Sequence, residues 1–163
     1  MEYVLSPLSA DDREAVMDIF NYYIENSFAA YPEQRLPYAF FDMLLKMSEG
    51  YPNVTARTPA GEFAGYGMLR AFNPMAAFDG VAEISYFIDA RYTGQGLGGQ
   101  ILAYLESEAR KQGLKSILAS ISALNEGSLK FHLKNGFVEC GRFRNIGHKN
   151  NQTFDVIWMQ KQL

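Results

Sequence analysis

The segment Thr93-Gly94-Gln95-Gly96-Leu97-Gly98-Gly99 separates an apolar run from a helical pattern. The apolar, aromatic-rich run Glu83–Ile88 precedes it and predicts a buried strand. After it, apolar side chains recur at helical spacing, at Leu97, Ile101, Leu102, Leu105 and Ala109. Glycines let the backbone approach a ligand closely, and the first N–H groups of a helix carry partial positive charge. A strand, a glycine loop and a helix start in this order therefore predict a site for a phosphate or pyrophosphate.

The loop also satisfies, formally, the dinucleotide-binding spacing Gly94-x-Gly96-x-x-Gly99, which would make the protein a nucleotide-dependent oxidoreductase. That fingerprint comes with an acidic residue about 20 positions further on, which binds a ribose hydroxyl. The corresponding window, Gln112-Gly113-Leu114-Lys115-Ser116, contains no acid. A triphosphate-binding loop needs Lys and Ser or Thr after its last glycine, where this chain has Gln100 and Ile101. The sequence therefore disfavours a dinucleotide-binding loop and excludes a triphosphate-binding loop.

The loop resembles motif A of the GNAT-type N-acetyltransferases, in which Gln/Arg-x-x-Gly-x-Gly/Ala cradles the pyrophosphate of acetyl-coenzyme A (acetyl-CoA). The register Thr93–Gly98 aligns the last two glycines and has Thr where the motif has Gln or Arg. A register shifted by two residues, Arg91–Gly96, restores the Arg but fits the helix start less well. Backbone N–H groups bind the phosphate in both registers. A structural glycine turn without a ligand is the alternative.

Composition and charge restrict the class of protein. The 163 residues predict a single domain spanning residues 1–163, and 48% hydrophobic residues argue against disorder. A net charge of −3 without a basic run argues against nucleic acid as a partner. One cysteine and two histidines exclude a disulfide and disfavour a metal site. No apolar run approaches the roughly 20 residues of a membrane span, and the start lacks a signal-peptide pattern. We therefore expect a cytoplasmic protein without a membrane partner.

The order of the predicted elements indicates the fold class. The predicted bounds are, in chain order, Tyr3–Leu5, a helix through Val16, Ile19, Phe20 and Tyr23, then Tyr38–Met47, Val54–Arg57, Phe63–Phe72, Glu83–Ile88, the helix from Leu97, Ser116–Ile121, Glu126–Lys134, Phe137–Ile146 and Thr153–Gln160. This order predicts a mixed α/β (α+β) protein. It is also the element order of the GNAT fold, and that resemblance implies a central mixed, mostly antiparallel sheet of about seven strands flanked by helices.

Further segments extend the resemblance. The run Asn125-x-x-Ser128-Leu129-x-x-His132-x-x-x-Gly136-Phe137 matches the family's second motif, in which Asn-x-x-Ser opens a helix and Gly-Phe closes it. The C-terminal runs Gly147-His148-Lys149, Asp155-Val156 and Met159-Gln160 look like the phosphinothricin acetyltransferase subgroup. The resemblance implies an acetyl-CoA-dependent N-acetyltransferase that transfers an acetyl group to the primary amine of a small molecule, an amino acid or an analogue, by direct attack. It also implies a homodimer.

Within that resemblance, Glu83 and His132 are the candidate catalytic residues. Glu83 opens the strand that leads to the glycine loop and is the candidate general base, directly or through a water. His132 occupies the place where many relatives carry the tyrosine that protonates the leaving thiolate, and a histidine can donate a proton near neutral pH. The alternatives are a Glu83 carboxylate paired with a backbone group or an arginine, and a His132 ring that is only packed or only touches the cofactor.

The residues expected to bind acetyl-CoA lie on three segments. The strand Tyr86-Phe87-Ile88 should offer backbone N–H and C=O groups to the pantetheine amides, and an N–H to the oxyanion. The pyrophosphate is expected at the glycine loop, formed by Thr93, Gly94, Gln95, Gly96, Leu97 and Gly98. Asn125 is expected to touch the cofactor, with simple helix capping as the alternative.

Departures from the subgroup concern the acceptor. Relatives that acetylate phosphinothricin or methionine sulfoximine commonly carry an Arg before a proline, where this chain has Asn73 before Pro74. Asn cannot bind a carboxylate as strongly as the forked Arg side chain does, so Arg70 is the candidate substitute. Phe28 and Tyr31 lie in a loop expected to flank the amine, and complete the candidate acceptor-binding residues. The alternative function is an acyl-CoA-binding sensor without catalysis.

Overall fold

The computed structural model describes residues 1–163, which form one seven-stranded sheet and four α-helices. The strands are β1 (Val4–Ser6), β2 (Asn53–Arg57), β3 (Phe63–Ala71), β4 (Val81–Ile88), β5 (Ser116–Ser122), β6 (Val138–Lys149) and β7 (Gln152–Gln162). The helices are α1 (Arg13–Asn26), α2 (Phe40–Met47), α3 (Leu97–Lys111) and α4 (Glu126–Lys134). The predicted fold class is confirmed. None of the helices combines the length and the apolarity needed to cross a bilayer.

The sheet contains one parallel strand pair. In the order β1-β2-β3-β4-β5-β7-β6, neighbouring strands are antiparallel except β4 and β5. These two pair only between Val81–Glu83 and Ser116–Leu118, whereas β4 stays paired with β3 as far as Ile88. The strands β4 and β5 therefore diverge after Glu83 and open a wedge in the middle of the sheet. A mostly antiparallel sheet is also incompatible with the doubly wound dinucleotide-binding fold, which removes the oxidoreductase alternative.

Helix α3 packs on the sheet through the apolar face that its sequence pattern predicts. The side chains of Leu97, Ile101, Leu105 and Ala109 are buried in a cluster of 19 residues. Close packing depends on Gly67 of β3, since a Cβ there would lie 2.7 Å from the side chain of Ile101. Burying a Leu or Ile side chain contributes about 1.5–3 kcal/mol, so this face holds the helix, and with it the glycine loop, against the sheet. A separate cluster of 7 buried residues lies at α1 and α2.

The C-terminal hairpin is longer than its sequence pattern predicts. The sequence predicts strands at Phe137–Ile146 and Thr153–Gln160, but β6 and β7 extend until only Asn150 and Asn151 separate them. Both asparagines have positive φ, 51° and 61°, as the favoured two-residue hairpin turn requires. A register shift inside β6 breaks its alternation, which explains why the pattern ends early.

Candidate active site

A cleft lies where β4 and β5 diverge, and its cavity has a volume of about 580 Å³. One wall is Ile84–Ile88 of β4, and the facing wall is Ala119–Ser122 of β5. Tyr23 and Ala29 line the cleft from α1 and the segment that follows. The glycine loop and α4 complete the lining through Thr93, Gly94, Gly98, Asn125, Gly127, Ser128, Phe131 and His132. Because β5 does not pair with β4 along this stretch, the β4 edge offers backbone N–H and C=O groups to an extended ligand.

The glycine loop lines this cleft and has the geometry of an anion site. Gly94 and Gly96 have φ of 74° and 83°, a left-handed conformation that other L-residues adopt only with strain. Gly96 is the N-cap of α3, a helix of 15 residues whose first turn contains no acidic side chain. Gly98 lets this turn approach α4, because a Cβ there would lie 3.2 Å from the Phe131 ring. The first-turn N–H groups of α3, which have no partner within the helix, suit a pyrophosphate.

Most residues predicted to bind the cofactor line the cleft, namely Tyr86, Phe87, Ile88, Thr93, Gly94, Gly98 and Asn125. Gln95, Gly96 and Leu97 are not among the lining residues, and the two with side chains direct them away from the cleft. The Gln95 amide turns away, accepting a hydrogen bond from the Tyr3 hydroxyl at 3.1 Å and donating one to the Arg91 carbonyl at 3.2 Å. The Leu97 side chain faces the core and is 1% exposed. Only backbone atoms of these residues remain for a ligand.

Two polar side chains at the cleft are held by local hydrogen bonds. Thr93, which stands where the motif has Gln or Arg, donates its hydroxyl proton to the Ala90 carbonyl at 3.0 Å. Asn125 caps α4, since its Oδ1 accepts a hydrogen bond from the Ser128 N–H at 3.2 Å. Capping uses the amide oxygen and leaves the Asn125 NH₂ group free to donate into the cleft.

His132 and Tyr86 form a buried pair beside the cleft. His132 is 3% exposed, and its Nδ1 lies 2.7 Å from the Ser128 carbonyl oxygen. Because a carbonyl oxygen only accepts, Nδ1 carries the ring proton, and Nε2 accepts a hydrogen bond from the Tyr86 hydroxyl at 2.5 Å. Burial lowers the pKa of His132 and raises the pKa of Tyr86, so both are neutral at pH 7. Neither ring nitrogen of His132 presents a proton to the cleft. This differs from the expectation that His132 is the acid that protonates the leaving thiolate.

A second cavity of about 250 Å³ adjoins the cleft. The two cavities meet at shared residues, Ala29, Ile84, Ser85, Phe87 and Ser120. Most of its walls are apolar and come from α1, α2, β3 and the segment after α1: Phe20, Ala30, Tyr31, Pro32, Phe40, Leu44, Met47, Tyr66 and Met68. Its charged residues are Arg70 and Glu83. Nowhere does the protein gather three His, Cys, Asp or Glu side chains that could hold a metal ion.

Arg70 and Glu83 form an ion pair inside this second cavity. The two residues are direct partners in the β3–β4 register, and Nη2 of Arg70 lies 2.8 Å from Oε1 of Glu83. The guanidinium also donates to the hydroxyl of Ser85. The two charged side chains are 23% and 17% exposed, so a ligand can reach them. The Glu83 carboxylate is therefore paired with an arginine, which is the alternative that the sequence left open for this residue.

Among the residues predicted to bind the acceptor, Arg70 and Tyr31 line this cavity, whereas Phe28 and Asn73 do not. Phe28 packs behind the cavity wall, with its ring centroid 5.6 Å from that of Phe154. Asn73 lies beyond the end of β3, where its Oδ1 accepts a hydrogen bond from a backbone N–H two residues on, at 2.9 Å. Strand alternation explains why Arg70 lines the cavity and Asn73 does not. The even-numbered residues Tyr66, Met68 and Arg70 of β3 face the cavity, and the strand ends at Ala71, before Asn73.

Sequence reasoning missed the contribution of α2 and of two serines. Phe40, Leu44 and Met47 line the cavity, and their spacing marks one face of a helix. That spacing reveals an apolar face but does not distinguish a face on the core from one on a cavity. Ser85 and Ser120, which line both cavities, had no distinguishing local signal because each sits in an ordinary strand pattern.

Comparison with known proteins places this geometry among acetyltransferases. Residues 16–137 match the acetyltransferase (GNAT) family. The L-methionine sulfoximine/L-methionine sulfone acetyltransferase of Pseudomonas aeruginosa is 31% identical over 156 residues, which cover 93% of this chain and 90% of that protein. The phosphinothricin N-acetyltransferase of Streptomyces viridochromogenes is 30% identical over 158 residues, covering 96% and 86%. The solved structure of a GNAT superfamily phosphinothricin acetyltransferase from Sinorhizobium meliloti, in complex with AcCoA, has a TM-score of 0.94 at 25% identity, covering 100% of this chain and 89% of that one.

Proposed function

This chain belongs to the acetyltransferase (GNAT) family, and on that premise we propose that it acetylates the primary amine of a small amino acid or amino-acid analogue. It is an N-acetyltransferase that uses acetyl-CoA. The observation that carries the acceptor proposal is the Arg70–Glu83 pair in an otherwise largely apolar cavity beside the cleft. An α-amino acid presents the complementary charges, a carboxylate and an ammonium. The relatives named above act on acceptors of this class.

The cleft residues have the groups needed to bind acetyl-CoA, which supplies the acetyl group as an activated thioester. The N–H groups at the start of α3 would hold the pyrophosphate, and the free edge of β4 would pair with the pantetheine amides. The Asn125 NH₂ group can add one further hydrogen bond. The acceptor amine and the acetyl group would come together where the two cavities meet, at Ser85, Phe87 and Ser120.

Arg70 and Glu83 would divide the work on the acceptor. The carboxylate of an amino acid would bind Arg70 through a charge-assisted, forked contact. This contact competes for the guanidinium and leaves Glu83 available to take a proton from the acceptor ammonium, directly or through a water. The neutral amine then forms the new N–C bond by direct attack, the C–S bond breaks, and the nitrogen loses its second proton as the amide forms. The leaving thiolate takes up one proton, so the transfer step balances.

The charges that develop on the acetyl group need separate partners. A backbone N–H of Tyr86–Ile88 would stabilise the negative charge on the carbonyl oxygen. The Tyr86–His132 pair does not supply the proton for the leaving sulfur, because the Tyr86 hydroxyl proton is bound to Nε2 of His132 and burial raises the pKa of Tyr86. We assign His132 a positioning role instead: it fixes Tyr86 and joins α4 to β4, a different role from the acid that its sequence position indicates.

The protein would act as a homodimer in the cytoplasm, with residues 1–163 as one catalytic domain. Support for the dimer comes from the edge strand β6, which exposes Val138, Phe143 and Ile146. Large apolar side chains on an exposed sheet edge are typical of an interface between subunits. The molar mass in solution, measured by light scattering, checks this.

Coenzyme A release, followed with a thiol reagent, tests the proposed function. The acceptor panel contains free amino acids, methionine sulfone, phosphinothricin and small polyamines. The proteins are the wild type, the Glu83→Gln variant and Glu49→Gln, a control at an exposed residue after α2. We expect an amino-acid acceptor whose rate falls at least about tenfold in Glu83→Gln, equivalent to roughly 1.4 kcal/mol, and is unchanged in the control.

Other outcomes of this experiment contradict specific parts of the proposal. An acceptor whose rate does not respond to Glu83→Gln removes the role of Glu83 as base. A polyamine preferred over every amino acid removes the acceptor class. No release with any acceptor, while acetyl-CoA still raises the melting temperature, would favour the sensor alternative, for which the relatives give no support.

A further inference from the structure

Lys149 is a buried cation whose ammonium donates its hydrogen bonds only to backbone carbonyl oxygens. The residue is 0% exposed, although lysine is among the side chains least often buried. Its Nζ donates to the carbonyl oxygens of Ile24, Ser27 and Ala30 at 2.7, 2.7 and 2.6 Å. The three protons of the ammonium therefore have three acceptors, and its charge is not neutralised by a bonded carboxylate. Burial lowers the pKa of Lys149.

The acceptors of Lys149 belong to the end of α1 and to the chain that follows it. The C-terminal carbonyls of a helix lack partners within the helix and carry partial negative charge. Helix α1 has no basic residue in its own last turn. Lys149, 125 positions further along the chain than Ile24, supplies the missing cation. The contact joins the C-terminal hairpin to the segment that leaves α1.

Two further contacts attach the same segment to the hairpin. The Phe154 ring lies over Gly147, where a Cβ would approach it to 2.2 Å, and packs against the rings of Phe28 and Tyr31 at centroid distances of 5.6 and 5.7 Å. The Asn150 N–H donates to Oε1 of Glu33 at 2.8 Å. The tip of the β6–β7 hairpin therefore holds the chain from residue 24 to residue 33.

This segment forms one wall of the second cavity, which is the proposed acceptor site and is called the acceptor cavity from here on. Ala29, Ala30, Tyr31 and Pro32 line the cavity together with Arg70 of β3 and Glu83 of β4. The segment between α1 and α2 has neither helical nor strand structure there, so its position depends on contacts with other elements. Of these contacts, only the Lys149 ammonium bonds the backbone of the wall itself, at Ala30.

We propose that Lys149 is a positioning residue for acceptor binding: its ammonium, bonded to Ile24, Ser27 and Ala30, sets the distance between the 29–32 wall and the Arg70–Glu83 pair. The proposal rests on the proposed function for the identity of the cavity's ligand. A residue that only stabilises the fold would lower the melting temperature and leave the kinetic constants of the folded enzyme unchanged. A positioning residue changes the KM for the acceptor far more than that for acetyl-CoA, because of the four wall residues only Ala29 also lines the cleft, whose other lining comes mostly from the glycine loop, β4, β5 and α4.

The test compares Lys149→Met with Lys161→Met. Both changes replace a hairpin ammonium by an apolar chain of similar length, but Lys161 pairs with Glu106 at 2.6 Å and lines neither cavity. At a temperature well below both melting transitions, Lys149→Met should raise the acceptor KM at least about tenfold and leave the acetyl-CoA KM within about twofold. Lys161→Met should lower the melting temperature and change neither constant. An acceptor KM that is unchanged in Lys149→Met overturns the proposal.

Hydrogen exchange supplies a readout that needs no acceptor. In Lys149→Met, exchange at the Ser27 and Ala29 amides, which bond the Tyr23 carbonyl and the Ser27 hydroxyl, should be at least about tenfold faster than in the wild type, with no change there in Lys161→Met. Unchanged exchange overturns the proposal even if the acceptor is not an amino acid, so its failure is distinct from failure of the proposed function. If Lys149→Met does not fold, Lys149→Arg replaces it. A planar guanidinium keeps the charge but cannot direct three protons from one nitrogen. Lys149→Arg should therefore also raise the acceptor KM and speed amide exchange in this segment, by smaller factors. The absence of both changes would contradict the proposal.

Discussion

Arg70 of β3 faces Glu83 of β4 directly across the sheet, and the two side chains are joined at 2.8 Å inside the acceptor cavity. In the proposed mechanism, Arg70 would bind the acceptor carboxylate and Glu83 would act as the base for its amine, at neighbouring points of one wall. The same position supports the proposal that Arg70 replaces the arginine that the subgroup carries at Asn73, because Arg70 lines the cavity and Asn73, two residues beyond β3, does not.

Replacing Arg70 should separate acceptors by their carboxylate. Hydrogen bonds to charged groups contribute about 1.5–3 kcal/mol, so Arg70→Gln should raise the KM for amino acids about tenfold or more. The corresponding amines without a carboxylate should change by no more than about twofold. Arg13→Gln, which removes the exposed ion pair with Asp42, is the matched control and should change neither. Equal effects of Arg70→Gln on both kinds of acceptor would contradict carboxylate binding.

The Tyr86–His132 pair should behave as one unit in acetyl-CoA binding. Tyr86→Phe and His132→Gln should each weaken acetyl-CoA binding, measured by calorimetric titration, about two- to tenfold, because each breaks the hydrogen bond that joins β4 to α4, two elements that line the cleft. The double variant should lose little more than either single one, since residues of one network are not additive. Tyr104→Phe removes a hydroxyl from α3 outside both cavities and controls for packing. Multiplicative losses in the double variant would count against a shared role.

Burial of His132 should make stability depend on pH in a defined window. Its folded-state pKa lies below the ordinary value of 6.5, so the unfolded chain binds a proton that the folded chain resists. The contribution of His132 is complete above pH 6.5 and is lost as the pH falls from there toward the folded-state pKa, by up to about 1.4 kcal/mol per pH unit. The free energy of unfolding, measured with urea between pH 7.5 and 5, should fall less steeply with decreasing pH in His132→Gln than in the wild type. The control His148→Gln, at an exposed histidine, should show the wild-type pH dependence. The same pH dependence in all three proteins would contradict a stabilising contribution from neutral His132.

Two glycines of the loop should respond differently to alanine. Gly96→Ala forces a side chain into a left-handed conformation, which costs about 1–2 kcal/mol, and should weaken acetyl-CoA binding about tenfold by shifting the start of α3. Gly99 has ordinary φ and open space around its Cβ position, so Gly99→Ala should gain helix stability of up to about 1 kcal/mol. Calorimetric titration with acetyl-CoA and thermal melting measure both effects. A Gly96→Ala variant that binds acetyl-CoA as well as the wild type would show that the loop geometry is not needed.

Local patterns predicted the elements around the glycine loop with little error. The strand before the loop and the helix after it are observed, and the helix Glu126–Lys134 has the predicted bounds and the predicted Asn125 cap. These features depend on periodicity, capping and glycine spacing, which act over a few neighbouring residues. The hairpin turn at Asn150 and Asn151 was missed because a register shift interrupts the local period.

Side-chain directions at the site were predicted less well. The glycine loop was correct as a loop, but the Gln95 side chain turns to Tyr3, on the first segment of the chain. Phe28 was expected at the acceptor and instead packs on Phe154. In each case the deciding partner lies far away in the sequence, so no local pattern records it.

The sequence by itself determined the order of strands and helices, the anion-binding loop and the membership of the family, because these depend on short-range spacing and on the identity of a few residues. The tertiary structure alone decided three contacts: the ion pair of Arg70 with Glu83, the hydrogen bond from Tyr86 to Nε2 of His132, and the hydrogen bonds of Lys149 to the carbonyls of Ile24, Ser27 and Ala30. The first contact follows from the β3–β4 register, the second from the packing of α4 on β4, and the third from the hairpin lying against the end of α1. Contacts across so many residues are set by sheet register and by the packing of elements, which become defined only when the whole chain is folded.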